Sequence, residues 1–251
     1  VPVKIYRELD STNRAAKEVA FSGEAGHGAL ILARRQKSGR GRRGRSFYSP
    51  ENAGLYMSIV LRPDRTLKEG LLITTAAATA VYRAVKKICG IDLGIKWVND
   101  LYLHDRKVCG ILTEAVTDFE SGNIEFAVVG IGLNLYVPEE GFPEDIQETA
   151  GALFGSRKDA EHVNCSILVA EIANQLLMEV ETPGLSREYT ENNIIPGNMI
   201  VIADGARTRE AYAEAIASDG RLLVREQDGS ETLLSYGEVS VRRKPDKDQS
   251  K

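Results

Sequence analysis

Cysteine is scarce and unpatterned in this chain. Cys89, Cys109 and Cys165 are odd in number, lie far apart and show no CxxC spacing, which argues against structural zinc and suits free thiols in a reducing cytoplasm. Long apolar runs are missing too. The most apolar window, Leu71 to Tyr82, is flanked by charge and falls short of the ~20 residues a membrane span requires. No signal peptide opens the sequence, so the expectation is a cytoplasmic protein with no membrane partner. In that setting the sequon Asn164-Cys165-Ser166 carries no meaning. An excess of positive charge is also absent. The net charge of −4 argues against a general nucleic-acid binder, whose domain is normally basic. Tryptophan occurs once, at Trp97, and reads as a core residue.

What is present is an ordinary globular composition, 43% hydrophobic and 27% charged over 251 residues, enough for one or two domains with a real core. Against that background one stretch stands out. Seven Arg or Lys fall between positions 34 and 45, and no acid occurs between Ala25 and Pro50. Gly39, Gly41 and Gly44 punctuate the run as Gly39-Arg40-Gly41-Arg42-Arg43-Gly44-Arg45. Glycines let a backbone bend and approach a ligand closely, and arginines supply forked cationic donors for phosphate or carboxylate. The spacing fits the dinucleotide fingerprint, but that pattern requires a helix at its third glycine. Here Ser46-Phe47-Tyr48-Ser49-Pro50 and then a strand follow. No Gly-Lys-Ser/Thr closes a P-loop either. A local cationic loop in a mildly acidic chain favours a small anion over a long duplex, with a nucleic-acid module as the rival reading.

Around the loop the pattern alternates between strands and helices. Val3 to Leu9, Ala29 to Ala33 and Gly54 to Arg62 read as strands, the last with Leu55, Met57, Ile59 and Leu61 on one face. A helix is expected from Leu67 to Ile88, stopped by Gly90, and another along Val169, Ile172, Leu176 and Val180. Asp10-Ser11-Thr12-Asn13 offers N-cap chemistry for a helix to about Phe21, or hydrogen-bond partners for a polar ring. The residues alone leave both open.

Lys96 to Leu103 and Lys107 to Leu112 form a hairpin through His104-Asp105-Arg106. Within it Asn99-Asp100 is either a turn or a holder of magnesium or a ribose hydroxyl, and Lys107 offers a point charge to phosphate. Gly130 and Gly132 sit one residue apart in a buried strand ending at Leu135, which implies close approach by something. After Asn193 the segments shorten, with Asp219-Gly220 and Asp228-Gly229 as hairpin turns. Propensity favours a helix from Arg209 to Ala217, but the turn spacing favours a strand in a small β-barrel. Lys244 to Lys251 reads as a frayed tail.

These motifs, from Tyr6 to about Arg242, resemble the biotin protein ligases. The arginine-glycine loop matches the family's biotinoyl-adenylate loop. Asp10-Ser11-Thr12-Asn13, Lys96-Trp97-x-Asn99-Asp100-Leu101-Tyr102, Lys107-x-x-Gly110-Ile111-Leu112-x-Glu114 and Gly130-x-Gly132-x-Asn134 match in the family's order. Two positions depart from it: Phe47 stands where Trp is common, and Val98 where Pro is common. The resemblance implies an α/β (α+β) fold with a mixed-sheet catalytic domain, residues 1–192, an SH3-like C-terminal barrel, 193–244, and a disordered tail, 245–251. It implies a ligase without the N-terminal DNA-binding domain of some members, using biotin and ATP with Mg2+ and no resident metal site. The partner would be a biotin carboxyl carrier domain, and homodimerisation occurs in the family. By resemblance Ser11, Thr12, Asn13 and Gln36 hold the ureido ring. Gly39, Arg40, Gly41, Arg42, Lys107, Gly130 and Gly132 complete the biotin site. Arg42, Arg45, Phe47, Asn99, Asp100, Lys107 and Asn134 serve the nucleotide. Arg40, Arg42 and Lys107 neutralise charge in catalysis, and Asp100 is a candidate for orienting the acceptor amine. A lipoate or octanoate ligase is the alternative of the same fold.

Overall fold

The computed structural model describes residues 2–64, 66, 69–118, 120–204, 207–235 and 240–243. The tail from Lys244 lies outside them. A seven-stranded mixed sheet in the order β1-β2-β3-β7-β6-β5-β4 forms the larger part. Its strands are β1 (Val3–Leu9), β2 (Leu30–Gln36), β3 (Gly54–Leu61), β4 (Gly94–Lys96), β5 (Asp100–Leu103), β6 (Arg106–Thr117) and β7 (Ile124–Asn134). Helix α1 (Thr12–Phe21) carries the chain from β1 to the parallel β2, the crossover that parallel pairing requires. All other pairs in this sheet are antiparallel.

Helices cover both faces. Ala16 and Ala20 of α1 pack on Ile31, Val60, Phe126 and Val128. On the opposite face α2 (Gly70–Cys89) and α3 (Cys165–Glu181) cover Met57, Ile59, Leu61, Val129 and Ile131. The alternation expected for β3 is therefore incomplete, because its second face is buried as well: Tyr56, Ser58 and Val60 are at most 1% exposed. Helix α2 ends at Gly90 in the left-handed conformation, φ 70°, as expected of a C-terminal glycine. Its range is Gly70–Cys89, and the expected start at Leu67 lies outside the described residues. Asn164 of the sequon caps α3, its Oδ1 accepting from the amides of Ser166 and Ile167. A short helix, α4 (Arg187–Glu191), and the strand β4 have no strong pattern in the sequence.

Beyond α4 an antiparallel five-stranded sheet runs β11-β10-β9-β8-β12. It comprises β8 (Met199–Asp204), β9 (Arg207–Ile216), β10 (Leu222–Arg225), β11 (Glu231–Leu234) and β12 (Ser240–Arg243). The helix-favouring stretch in β9 is a strand because β8 and β10 satisfy its backbone and Ala211 and Ala213 are buried between them. Trp97, Val98 and Ile195 join this sheet's core. The Trp97 indole N–H donates to the Gly220 carbonyl at 2.9 Å, so the lone tryptophan is a core residue that joins the two sheets. Among the described residues no helix is long and apolar enough to cross a membrane.

Candidate active site

Strand register assembles the site. Ser58, Gly130 and Leu112 lie in one row across β3, β7 and β6, and Tyr56, Gly132, Gly110 and Asp100 in the next. Above these rows opens a cavity of about 600 Å³. Every site residue expected from the sequence lines it except Gly39. Gly39 serves the loop's own backbone, since a Cβ there would stand 2.3 Å from the Phe47 carbonyl oxygen.

One end of the cavity is a polar cradle. Register sets Gln36 of β2 opposite Leu9, beside the start of α1. There Gln36 Oε1 accepts from the Thr12 amide at 2.8 Å and its hydroxyl at 3.2 Å, while Gln36 Nε2 donates to Ser49 Oγ at 2.9 Å. Ser58 bonds both Thr12 Oγ1, 2.8 Å, and Asn13 Oδ1, 2.7 Å. Asn13 Nδ2 donates to the Leu112 carbonyl and to Glu114 Oε2. Ser11 occupies the N-cap position but makes no side-chain capping bond. Helix capping thus does not account for the Ser-Thr-Asn run. Thr12 and Asn13 instead belong to a locked hydrogen-bond network with Gln36, Ser58 and Glu114. Sequence reasoning missed Ser58, although a lone hydroxyl inside an apolar strand was the available signal.

Glu114 anchors the cradle. It accepts from Lys17 Nζ at 2.7 Å and pairs with Arg40 at 3.4 Å, with its side chain 17% exposed. Burial works to raise its pKa, but hydrogen bonds from Lys17 and Asn13 and the charges of Lys17 and Arg40 outweigh it and hold the carboxyl below its ordinary 4.5. A depressed carboxylate stabilises the fold above its unfolded pKa and loses that contribution as pH falls through the folded one. Thermal unfolding against pH is therefore expected to show wild type above Glu114→Gln near neutrality. The gap should close progressively below about pH 4.5; a gap unchanged by pH would remove the carboxylate from the network.

The other end of the cavity is charged. The arginine loop forms a small hairpin, with Phe47 N donating to Gly39 O and Gly41 N to Arg45 O. Arg43 at φ 55° and Gly44 at φ 73° make its turn, and no longer helix follows. The dinucleotide reading therefore fails in three dimensions as well. Arg42 donates to Asn99 Oδ1 at 3.1 Å, while Asn99 Nδ2 donates to the Ile111 carbonyl at 2.7 Å. Lys107 Nζ lies 2.7 Å from Asp100 Oδ1, in an ion pair whose angles leave that buried oxygen without an aligned hydrogen bond. Asn134 Nδ2 donates to the Gly151 carbonyl, tying β7 to the segment that carries Ile146, Thr149 and Ala150 into the cavity wall. His104 is an exposed turn residue at φ 53°.

The two strand glycines are approached, as their spacing implied, but by the protein itself. A Cβ on Gly130 would stand 2.1 Å from Asn13 Oδ1, and one on Gly132 2.5 Å from the Phe47 ring. Phe47 thus lies on the Gly110–Gly132 floor. Among the described residues no three His, Cys, Asp or Glu group to hold a metal ion. Asp100 and Asp105 line the charged end, a sparse carboxylate set of the kind that meets magnesium arriving on substrate phosphates.

Comparison with known proteins agrees with this geometry. The signature of the biotin/lipoate A/B protein ligase family matches residues 5–134. The Bifunctional ligase/repressor BirA of Bacillus spizizenii is 30% identical over 244 residues, spanning 92% of this chain and 72% of that protein. The Biotin--[acetyl-CoA-carboxylase] ligase of Mycobacterium tuberculosis is 28% identical over 254 residues, 93% of this chain and 89% of that one. Among solved structures, the biotin protein ligase from Aquifex aeolicus in complex with biotin and ATP superposes with a TM-score of 0.78 at 24% identity, covering 97% of this chain and 99% of that one. With a signature over half its length and a 30% identical relative aligned over 92% of it, the chain belongs to the biotin/lipoate A/B protein ligase family.

Proposed function

We propose that the chain is a biotin protein ligase that forms biotinoyl-5′-AMP from biotin and MgATP and passes the biotinoyl group to one lysine of a biotin carboxyl carrier domain. The observation that carries this reading is the cavity's polarity: hydrogen-bonding side chains of Thr12, Asn13 and Gln36 at one end and the cations Arg42, Arg45 and Lys107 at the other. A ureido ring needs donors and acceptors; Thr12, Asn13 and Gln36 supply them already oriented by Ser58, Glu114 and Ser49, and Ser11 lines the same wall. A lipoyl or octanoyl chain would press apolar surface on those same groups and cost them their solvation, which disfavours the alternative acyl substrates.

Both steps need positioning more than proton transfer. In the first, the biotin carboxylate, already an anion, attacks the α-phosphorus; the new bond is acyl oxygen to phosphorus, and pyrophosphate leaves with the electron pair. Repulsion between two anions opposes this step, so fixed positive charge is the effective catalyst. Arg40, Arg42 and Lys107 are assigned that role, and magnesium bound to ATP contributes further charge neutralisation. Asn99, Asn134 and Phe47 are assigned to the nucleotide, with Phe47 as a stacking face. In the second step a lysine amine attacks the acyl carbon and AMP leaves. Asp100 is assigned to orient that amine.

The test is transfer. Wild-type protein, MgATP, biotin and a purified carrier domain should yield a single biotinyl adduct on one lysine by mass spectrometry, undiminished by excess octanoate. An octanoyl adduct in its place would favour the other acyl class. The arginine loop should also respond to ligand. Hydrogen exchange at residues 40–46 is expected to slow on adding biotin and ATP together, because its charges then gain an anionic partner. Equal exchange with and without ligand would show that the loop does not fold over the substrate.

A further inference from the structure

The segment that bears Asn99 and Asp100 is held in place by groups on the second sheet and on α4. Trp97 is fixed from the second sheet through Gly220. On the next residue, the Val98 carbonyl accepts a hydrogen bond from the Tyr189 hydroxyl at 3.0 Å. Both Tyr189 and Val98 are 0% exposed, so no water replaces that donor. Burial pushes the phenol's pKa up, and the hydroxyl stays protonated and remains a donor. Tyr189 sits on α4, which Arg83 of α2 anchors through Glu188 and Ser186. On the cavity side the same few residues control the cations. Asn99 receives Arg42, Asp100 pairs with Lys107, and the Asn99 carbonyl accepts from the Ile111 amide at 2.9 Å.

We propose that Tyr189 is a positioning residue for the adenylation step, its buried hydroxyl fixing the Val98–Asn99–Asp100 backbone and through it Arg42 and Lys107. The inference rests on the ligase reading above. A shift at Val98 moves both cation anchors together, while the cradle of Thr12, Asn13, Gln36 and Ser58 belongs to other elements and stays put. Misplacement on the ångström scale costs about 10²-fold in rate, and a lost hydrogen bond allows a smaller movement than that.

The experiment compares Tyr189→Phe with Thr79→Val. The first removes only the hydroxyl from an unchanged ring. The second removes an equally buried hydroxyl that bonds Thr75 O within α2, away from the cavity. With carrier domain present to sustain turnover, Tyr189→Phe is expected to lower kcat for biotin-dependent pyrophosphate release roughly tenfold and to raise KM for ATP, while the Kd for biotin alone stays at the wild-type value. Thr79→Val should show no such split. If Tyr189→Phe does not accumulate as folded protein, Arg83→Gln, which releases α4 and with it the tyrosine, must show the split in its place. Wild-type rate and KM in Tyr189→Phe would overturn the proposal, as would parallel loss of biotin affinity and rate in both variants. If the wild type itself releases no pyrophosphate, the functional reading fails, and hydrogen exchange at the Ile111 amide decides the strut separately. Faster exchange in Tyr189→Phe supports it and unchanged exchange refutes it.

Discussion

Lys107→Ala is expected to lower biotin-dependent pyrophosphate release on the order of 10²–10³-fold, the usual cost of removing one preorganised charge from a developing anion. The lysine sits at the start of β6 with its amide donating to the Thr149 carbonyl and its own carbonyl accepting from Gly151, so the backbone there does not depend on the side chain. Its side chain is 33% exposed, and its ammonium meets Asp100 at the cavity. The substitution removes the cation beside a buried Asp100 oxygen, and the space left by the lysine side chain lets water reach that oxygen in its place, which limits the penalty of an unpaired carboxylate. Thermal unfolding should therefore change little while activation collapses. Near-normal pyrophosphate release by a folded Lys107→Ala protein would take this residue out of the mechanism.

Gly130→Ala should injure the other end of the cavity. A methyl group there would stand 2.1 Å from Asn13 Oδ1 and 2.8 Å from its carbon, so Asn13 must leave its place. Asn13 is 3% exposed and tied to Ser58, Glu114 and the Leu112 carbonyl, and its displacement breaks the whole cradle. Overpacking of this kind costs about 1–3 kcal/mol of stability. Two lost substrate hydrogen bonds at ~1 kcal/mol each would weaken biotin binding by roughly 10- to 100-fold. Gly132→Ala is the informative comparison. Its methyl would meet the Phe47 ring, the end of a side chain on a loop, and that ring can move. Calorimetry should show biotin affinity falling far more for Gly130→Ala than for Gly132→Ala. Equal losses would mean that the cradle is not the biotin end.

The site was more legible in the sequence than its supports were. Local motifs announced themselves through unusual composition: an acid-free arginine-glycine run, a Ser-Thr-Asn triplet, and paired glycines in an apolar strand. Register then brought them to one cavity. What the sequence hid was long-range hydrogen bonding. Ser58 meets Thr12 from 46 residues away, and Tyr189 meets Val98 from 91 residues away. Neither contact has a local signature, because a buried hydroxyl is spent on whatever the fold brings to it. The glycines illustrate the same limit. Their spacing implied an approach, but only packing revealed that Asn13 and Phe47 make it. In β9 helix propensity was overridden by pairing on both sides, and the two DG turns were the better guide. Helix α4 spans five residues, too short for a periodic pattern, yet it carries the hydroxyl that bonds the Val98 carbonyl beside Asn99 and Asp100.

The central claim is that this cavity joins a carboxylate to the α-phosphate of ATP before any carrier protein is present. The most direct measurement is pyrophosphate release from MgATP by purified protein, with and without biotin and with no carrier added. The account predicts a biotin-dependent burst close to one pyrophosphate per active site, followed by near silence until a carrier domain restores turnover. Absence of any biotin-dependent release from folded protein would contradict it, and the arginine loop would then have to serve another anion.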